Sequence, residues 1–271
     1  MKMFSDILAL TKESKKYNLH SHTEFCDGRA TMEAFARKAV EDSFLVYGFT
    51  PHSPIPFISS CNMLKDNVGR FAEECERIKK QYPQTLFLKG MEIDYLGTQW
   101  GPSTSFFRDL GLDYSIGSVH FIQNQKKEWI DIDGSNESFA VKLHKDFNND
   151  LDYIIKSFFG QSMEMVIKGG FNIIGHFDKI ADNASFVSPG IEDTPEFISQ
   201  VENLIAEIKK AGLTAEINTK KVDAKKRFFP HTRYWKELID NEIPIVVNSD
   251  AHVPALINAG RDEAFSMLTN I

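Results

Sequence analysis

Seven short apolar runs recur along the chain, each ending in a polar cluster. They cover residues 17–22, 44–52, 86–94, 114–120, 171–176, 213–218 and 243–252. Runs of this length, rich in Val, Ile, Leu and Phe, read as buried parallel strands. Helical spacing fills the gaps. Residues 31–43 set Phe35, Ala39 and Val40 against a charged face, and residues 67–82 do the same with Val68, Phe71, Cys75 and Ile78. Residues 194–212 place Phe197, Val201, Leu204, Ile205 and Ile208 at helical spacing, with lysines in the last turn and Gly212 at the C-cap. Residues 138–168 read as helix broken in two around 148–150. Strands alternating with helices imply βαβ units and a parallel sheet. There is no G-x-G-x-x-G, P-loop or G-x-S-x-G, so seven such units favour a βα barrel over an open nucleotide-binding sheet. In a barrel the active site lies at the C-terminal ends of the strands.

Composition narrows the class. The 271 residues carry 31 basic and 38 acidic side chains, a net charge of −7, with 42% apolar residues. Twenty-two Phe and a normal aliphatic share can bury a core, which excludes a disordered chain. The balance excludes the broad basic footprint of a duplex-binding domain, and no apolar run reaches the roughly 18 residues of a membrane span. The opening segment has too short an apolar stretch for a signal peptide. Three cysteines with no C-x-x-C give no disulfide framework, so a cytoplasmic location is expected.

The chemistry lies at the run ends. Six of the eight histidines sit there: His20, His22, His52, His120, His176 and His252. Imidazole gains nothing in an apolar core unless both nitrogens find partners, so six at corresponding ends point to metal binding. Carboxylates accompany them: Asp27 in HSHTEFCDG, Glu92 in KGMEIDY and Asp250 in NSDAH. His-x-His on a strand turns both rings to one face, as does Asp250-x-His252. A mixed His and carboxylate set suits Zn, Mn or Fe.

The ordered motifs HSHTEFCDG, GFTPHS, GMEIDY, GSVHF, GHFDK, EINT and NSDAH resemble the polymerase-and-histidinol-phosphatase (PHP) family, over residues 18–252. Within it, HTEFCDG followed by a helix and GFTPHSP is most similar to the stand-alone histidinol-phosphate phosphatases. The resemblance implies a distorted (β/α)7 TIM-like barrel forming a single domain over 1–271, with a site for three divalent ions. It implies that His20, His22, Glu92 and Asp250 hold the first ion. Glu92, His120 and His176 hold the second, and Asp27, His52 and His252 the third. Many relatives have His where Asp27 stands, which makes the third site one of harder ligands.

Three divalent ions against three carboxylates and a hydroxide leave a surplus of about two positive charges, which matches a phosphomonoester dianion. Uncatalysed hydrolysis of such esters is among the slowest reactions known, and a side-chain acid or base supplies only about 10²–10⁴, so metal ions carry most of the barrier reduction. The expected reaction is hydrolysis of L-histidinol phosphate to L-histidinol and phosphate, in histidine biosynthesis, by a metal-bridging hydroxide. Glu92 then bridges and Asp250 passes the proton to the leaving alkoxide. The basic segment 220–235 stands out in an acidic chain and would steer an anion. Arg227 and His231 from it, with Lys179, are the expected substrate-binding residues. Asn218, Asn248 and Asp178 are candidates to orient the ligands. Glu24, Phe57, Asp94, Tyr95 and Trp100 are candidates to meet the imidazole and ammonium, while His144 reads as a surface residue.

The expected partner is a small-molecule phosphomonoester, with neither nucleic acid nor membrane, and the chain would be a monomer or homodimer. Competing readings keep the site and change the substrate to phosphotyrosine protein, nucleotide or sugar phosphate. Others remove the chemistry, leaving a metal-binding non-catalytic barrel. A 3′ exonuclease is disfavoured, because no basic, aromatic-studded groove is apparent outside the 220–235 segment. An amidohydrolase-type barrel also opens with His-x-His but places a different group at the bridging position.

Overall fold

The computed structural model describes residues 4–271; the first three residues of the opening segment lie outside it. The described residues form ten strands: β1 (Tyr17–Asn18), β2 (Val46–Phe49), β3 (Leu86–Lys89), β4 (Glu92–Asp94), β5 (Ile116–Ser118), β6 (Phe121–Gln123), β7 (Trp129–Asp131), β8 (Ile173–Ile174), β9 (Thr214–Asn218) and β10 (Ile245–Asn248). Eight of them form a three-stranded sheet of order β1-β2-β3 and a five-stranded sheet of order β10-β9-β8-β5-β4, both parallel. The fold is therefore α/β with parallel sheets. Among the described residues the expected barrel is not closed by strand pairing: only two isolated parallel bridges link the arcs, Ser21 with Ala251 and His52 with Glu92. The 86–94 run accounts for the break. It is two strands, not one: β3 pairs with β2, and after Gly90 and Met91 the chain turns so that β4 pairs with β5. Gly90 is required at that turn, because a Cβ there would lie 2.7 Å from Thr50 Cγ2 and from the Tyr114 ring.

The helices follow the apolar spacing. Met32–Glu41 buries Met32, Phe35, Ala36 and Ala39, and Thr31 caps it by accepting the Ala34 N–H at 3.2 Å. Val68–Gln81 buries Phe71, Cys75 and Ile78. Pro195–Ala211 buries the five residues of its predicted stripe and ends on left-handed Gly212, which has φ +66°. Asn136–Phe147 and Leu151–Lys168 are separated by Asn148 and Asn149, both with positive φ. The apolar pattern predicts neither the antiparallel pair β6-β7 nor the helix Phe4–Glu13. The helix inserts Ile7 into an apolar cluster that takes Leu19, Val46, Leu88, Ile116, Ile173 and Val246 from both sheets. That shared core holds the two arcs face to face and aims their C-terminal ends at one place. No helix among the described residues is long and apolar enough to cross a membrane.

Candidate metal centre

His20 and His22 follow β1, where the His22 N–H donates to Ala251 O at 2.9 Å and ties the segment to the end of β10. A tight turn then brings Asp27 back: the Cys26 and Gly28 N–H groups both donate to Thr23 O. A Cβ on Gly28 would lie 2.3 Å from the His22 carbonyl carbon, so only glycine allows this return. Glu92 opens β4, His120 follows β5, His176 follows β8, and Asp250 and His252 follow β10. Two of these residues adopt left-handed backbone, His176 at φ +23° and Asp250 at φ +50°. Such strain in non-glycine residues persists where the surroundings hold it, and it concentrates at functional sites.

Glu92, fully buried, is the hub. Its Oε1 lies 2.9 Å from His176 Nε2 and 3.5 Å from His120 Nε2. Its Oε2 lies 3.3 Å from His20 Nε2, 3.4 Å from His22 Nε2 and 3.0 Å from His52 Nδ1. Asp250 Oδ1 stands 3.1 Å from His22 Nε2. Asp27 completes an outer group, with Oδ2 3.3 Å from His252 Nε2 and Oδ1 3.8 Å from His52 Nε2. Donor atoms within 4.8 Å of one another form four overlapping groups that together use all nine residues expected from the sequence.

The donor set fits divalent cations. Glu92 Oε2, His52 Nδ1 and Asp27 Oδ1 are buried with no hydrogen-bond partner among the described residues, and all three face other ligand-type atoms. The His20 and His22 Nε2 atoms face each other at 3.1 Å, so at most one of them carries the proton of a hydrogen bond. Divalent cations shared among them would satisfy these atoms.

The electrostatics are those of a tightly coupled cluster. Burial disfavours charge on His20, but Glu216, Glu92 and Asp250 outweigh it and hold its pKa well above the ordinary value. Burial and the neighbouring His252 and His52 push His22 well below. Glu92 is held well below the ordinary carboxylate range despite burial by His20, His52, His120 and His176, and Asp250 likewise by Lys220, His20 and His22.

Beside the cluster opens a cavity of about 320 Å³, lined by Asp27, His52, His120 and His252 of the cluster together with Asp133, Lys179 and Lys220. Lys179 Nζ donates to Asp133 Oδ2 at 2.6 Å, and both lie at the cavity. The other two expected substrate contacts are not there. Arg227 pairs with Glu192 through both Nη atoms, Nη1 at 2.8 Å, and the His231 N–H donates to Asp178 Oδ2 at 2.7 Å. Neither lines the cavity. The basic segment carries Lys220 there instead, with Nζ 3.2 Å from Asp250 Oδ1 and 3.3 Å from His252 Nε2.

Of the expected orienting residues, Asn218 donates to Asp250 Oδ2 at 3.1 Å and Asn248 donates to Glu216 Oε1 at 2.9 Å. Asp178 touches no ligand, and burial raises its pKa to about 7. Asp94 is buried with Oδ1 2.7 Å from His120 Nδ1 and also lines the cavity, so it backs a cluster residue from within the cavity wall. Sequence reasoning missed Glu216, 2.7 Å from His20 Nδ1, and Ser118, whose Oγ donates to Glu92 Oε1 at 2.7 Å. Glu216 had a readable signal: a carboxylate inside an apolar, wholly buried strand needs partners. His144 is exposed, as expected.

Comparison with known proteins agrees with this geometry. The family model for the PHP domain matches residues 18–220. Histidinol-phosphatase of Saccharomyces cerevisiae is 24% identical over 185 residues, 60% of this chain and 53% of that protein, so the chain spans about half the length of this relative. Among solved structures, a protein of Listeria monocytogenes designated a histidinol phosphatase superposes with a TM-score of 0.80 at 21% identity, over 91% of this chain and 99% of that one. Histidinol phosphate phosphatase of Lactococcus lactis, solved with zinc, L-histidinol and phosphate, superposes with a TM-score of 0.70 at 20% identity, over 94% and 93%. The fold is shared with both, and the matched model covers most of the strand-end motifs: this chain belongs to the PHP domain family.

Proposed function

We propose that the chain is a metal-dependent phosphomonoesterase that hydrolyses L-histidinol phosphate to L-histidinol and phosphate. The observation that carries this reading is Glu92, whose two oxygens face two different sets of imidazoles. That is the arrangement of a bridging carboxylate. Three divalent ions, Zn, Mn or Fe, would be held: one by His20, His22, Glu92 and Asp250, one by Glu92, His120 and His176, and one by Asp27, His52 and His252. Such ions supply a water nucleophile near neutral pH and positive charge against the phosphate.

The chain's own residues do the rest. Lys179, buried and pinned by Asp133, offers a fixed cation to a phosphate oxygen at the cavity wall. Asp250, with Lys220 beside it, takes the proton released by the attacking water and passes it to the leaving oxygen. Phe121 gives the cavity an apolar wall for the alcohol part. The size of the cavity suits a small metabolite. The choice of substrate draws support from the histidinol phosphatases named above. The two sheets are read as arcs of one distorted (β/α)7 barrel, a single domain, supported by the two bridges and the core common to both.

The test is phosphate release by protein stripped of metal and reloaded with Zn, Mn or Fe, on histidinol phosphate beside a generic aryl phosphate. Fast turnover of histidinol phosphate with poor turnover of the aryl ester is expected. Turnover of the aryl ester alone overturns the substrate. Bound metal with no hydrolysis of any phosphoester overturns the enzyme.

A further inference from the structure

Glu216 lies on β9, behind the deep half of the cluster, and is wholly buried. Its Oε1 is 2.7 Å from His20 Nδ1 and accepts the Asn248 amide at 2.9 Å. Its Oε2 accepts the backbone N–H of His176 at 3.1 Å and the Asn218 amide at 3.2 Å. The same Asn218 amide donates to Asp250 Oδ2 at 3.1 Å. The Asn248 side-chain oxygen accepts the Leu19 N–H at 2.8 Å, one residue before His20. Each oxygen of Glu216 therefore has two donors, and these lead to three strand ends other than its own. A buried carboxylate is costly unless paired in this way, and sheet packing alone would be served better by an apolar residue.

We propose that Glu216 is a positioning residue that holds His20 with Nδ1 protonated and Nε2 turned into the cluster, while clamping the left-handed His176 and, through Asn218, Asp250. One carboxylate thus sets three of the nine proposed ligands. The inference rests on the metal-binding reading above. It assigns Glu216 to the deep ions only: no hydrogen bond joins Glu216 to Asp27, His52 or His252 among the described residues. Partners of this kind fix the tautomer and raise the basicity of a ligating imidazole, and their loss costs about 10–100-fold in metal affinity.

The experiment is zinc binding by chelator competition on the full chain, comparing wild type, E216Q and H252Q. In E216Q the affinity for the deep ions is expected to fall by about 10–100-fold. One ion keeps its wild-type affinity, and that ion is the one H252Q loses. A merely structural role would weaken every ion together and lower the melting temperature of the chelated protein. A second measurement needs no variant: long-range ¹H–¹⁵N spectra of the zinc-loaded wild type should show His20 as the Nδ1–H tautomer. E216Q with wild-type zinc affinities, a uniform loss across all ions, or His20 protonated on Nε2 would each overturn the proposal while leaving the metal site standing. A wild type that binds no zinc overturns the metal reading, and this inference with it.

Discussion

Asp94 Oδ1 lies 2.7 Å from His120 Nδ1, and its Oδ2 accepts the Asn62 amide at 2.7 Å. Asn62 lines the cavity from the loop after β2, and its amide also donates to Ser53 O at 2.9 Å. One buried carboxylate thus joins a cluster imidazole to the cavity wall. Asp94→Asn keeps the shape and removes the charge. Zinc affinity should fall by about 10–100-fold, read by chelator competition. Unchanged affinity would remove Asp94 from the support of the site.

The same contact predicts a pH dependence. Burial disfavours the charged form of His120, but Asp94 and Glu92 outweigh it and raise its pKa to about 9 in the metal-free protein. A histidine raised on folding contributes stability that is complete below its ordinary value of about 6.5 and is lost as pH rises through about 9. The melting temperature of the chelated protein should therefore decline across that window. Zinc must displace the same proton, so its affinity should rise over the same window. In Asp94→Asn both slopes should flatten.

Lys179 and Arg227 separate kinetically. Lys179 lines the cavity, whereas Arg227 is engaged by Glu192 away from it. Losing a charge-assisted contact costs about 1.5–3 kcal/mol, so Lys179→Met should lower kcat/KM on a phosphomonoester by about 10–150-fold. Arg227→Met should stay within about threefold of wild type and lower the melting temperature instead. Steady-state kinetics on both variants check this, and the reverse ranking would restore the basic segment's arginine to the substrate.

Arg261 governs stability from outside the cavity wall. It is fully buried, donating from Nε to Val247 O at 3.1 Å, from Nη1 to Asn258 Oδ1 at 2.7 Å and from Nη2 to Lys15 O at 3.1 Å. Its guanidinium also lies over the rings of Tyr17, Phe44 and Phe265. It links the chain before β1 to β10 and the C-terminal helix Arg261–Leu268. Arg261→Met leaves three acceptors without their donor, and should destabilise the fold by about 3 kcal/mol or more. Denaturant unfolding would show the loss, with zinc affinity near wild type in the variant that remains folded.

Much of this protein is written in local pattern. Run length and apolar spacing mark the parallel strands. Thr31, Thr194 and Gly212 mark helix ends, and histidines at run ends mark the site, because periodicity, capping and side-chain alternation act over a few residues. What local pattern does not carry is partner choice. The split of 86–94 into β3 and β4 depends on which neighbour each half pairs with, and Gly90 signals a turn without saying toward what. Arg227 reads as a phosphate ligand until folding sets Glu192 against it, 35 residues away. Glu216 meets His20 across 196 residues, and only the stacking of β9 beside β8 and β10 turns an acidic strand residue into the support of a metal-type cluster. Hydrogen bonds and ion pairs are short-ranged and satisfied in space, so the tertiary structure alone decides which polar groups face the cavity and which hold the others in place.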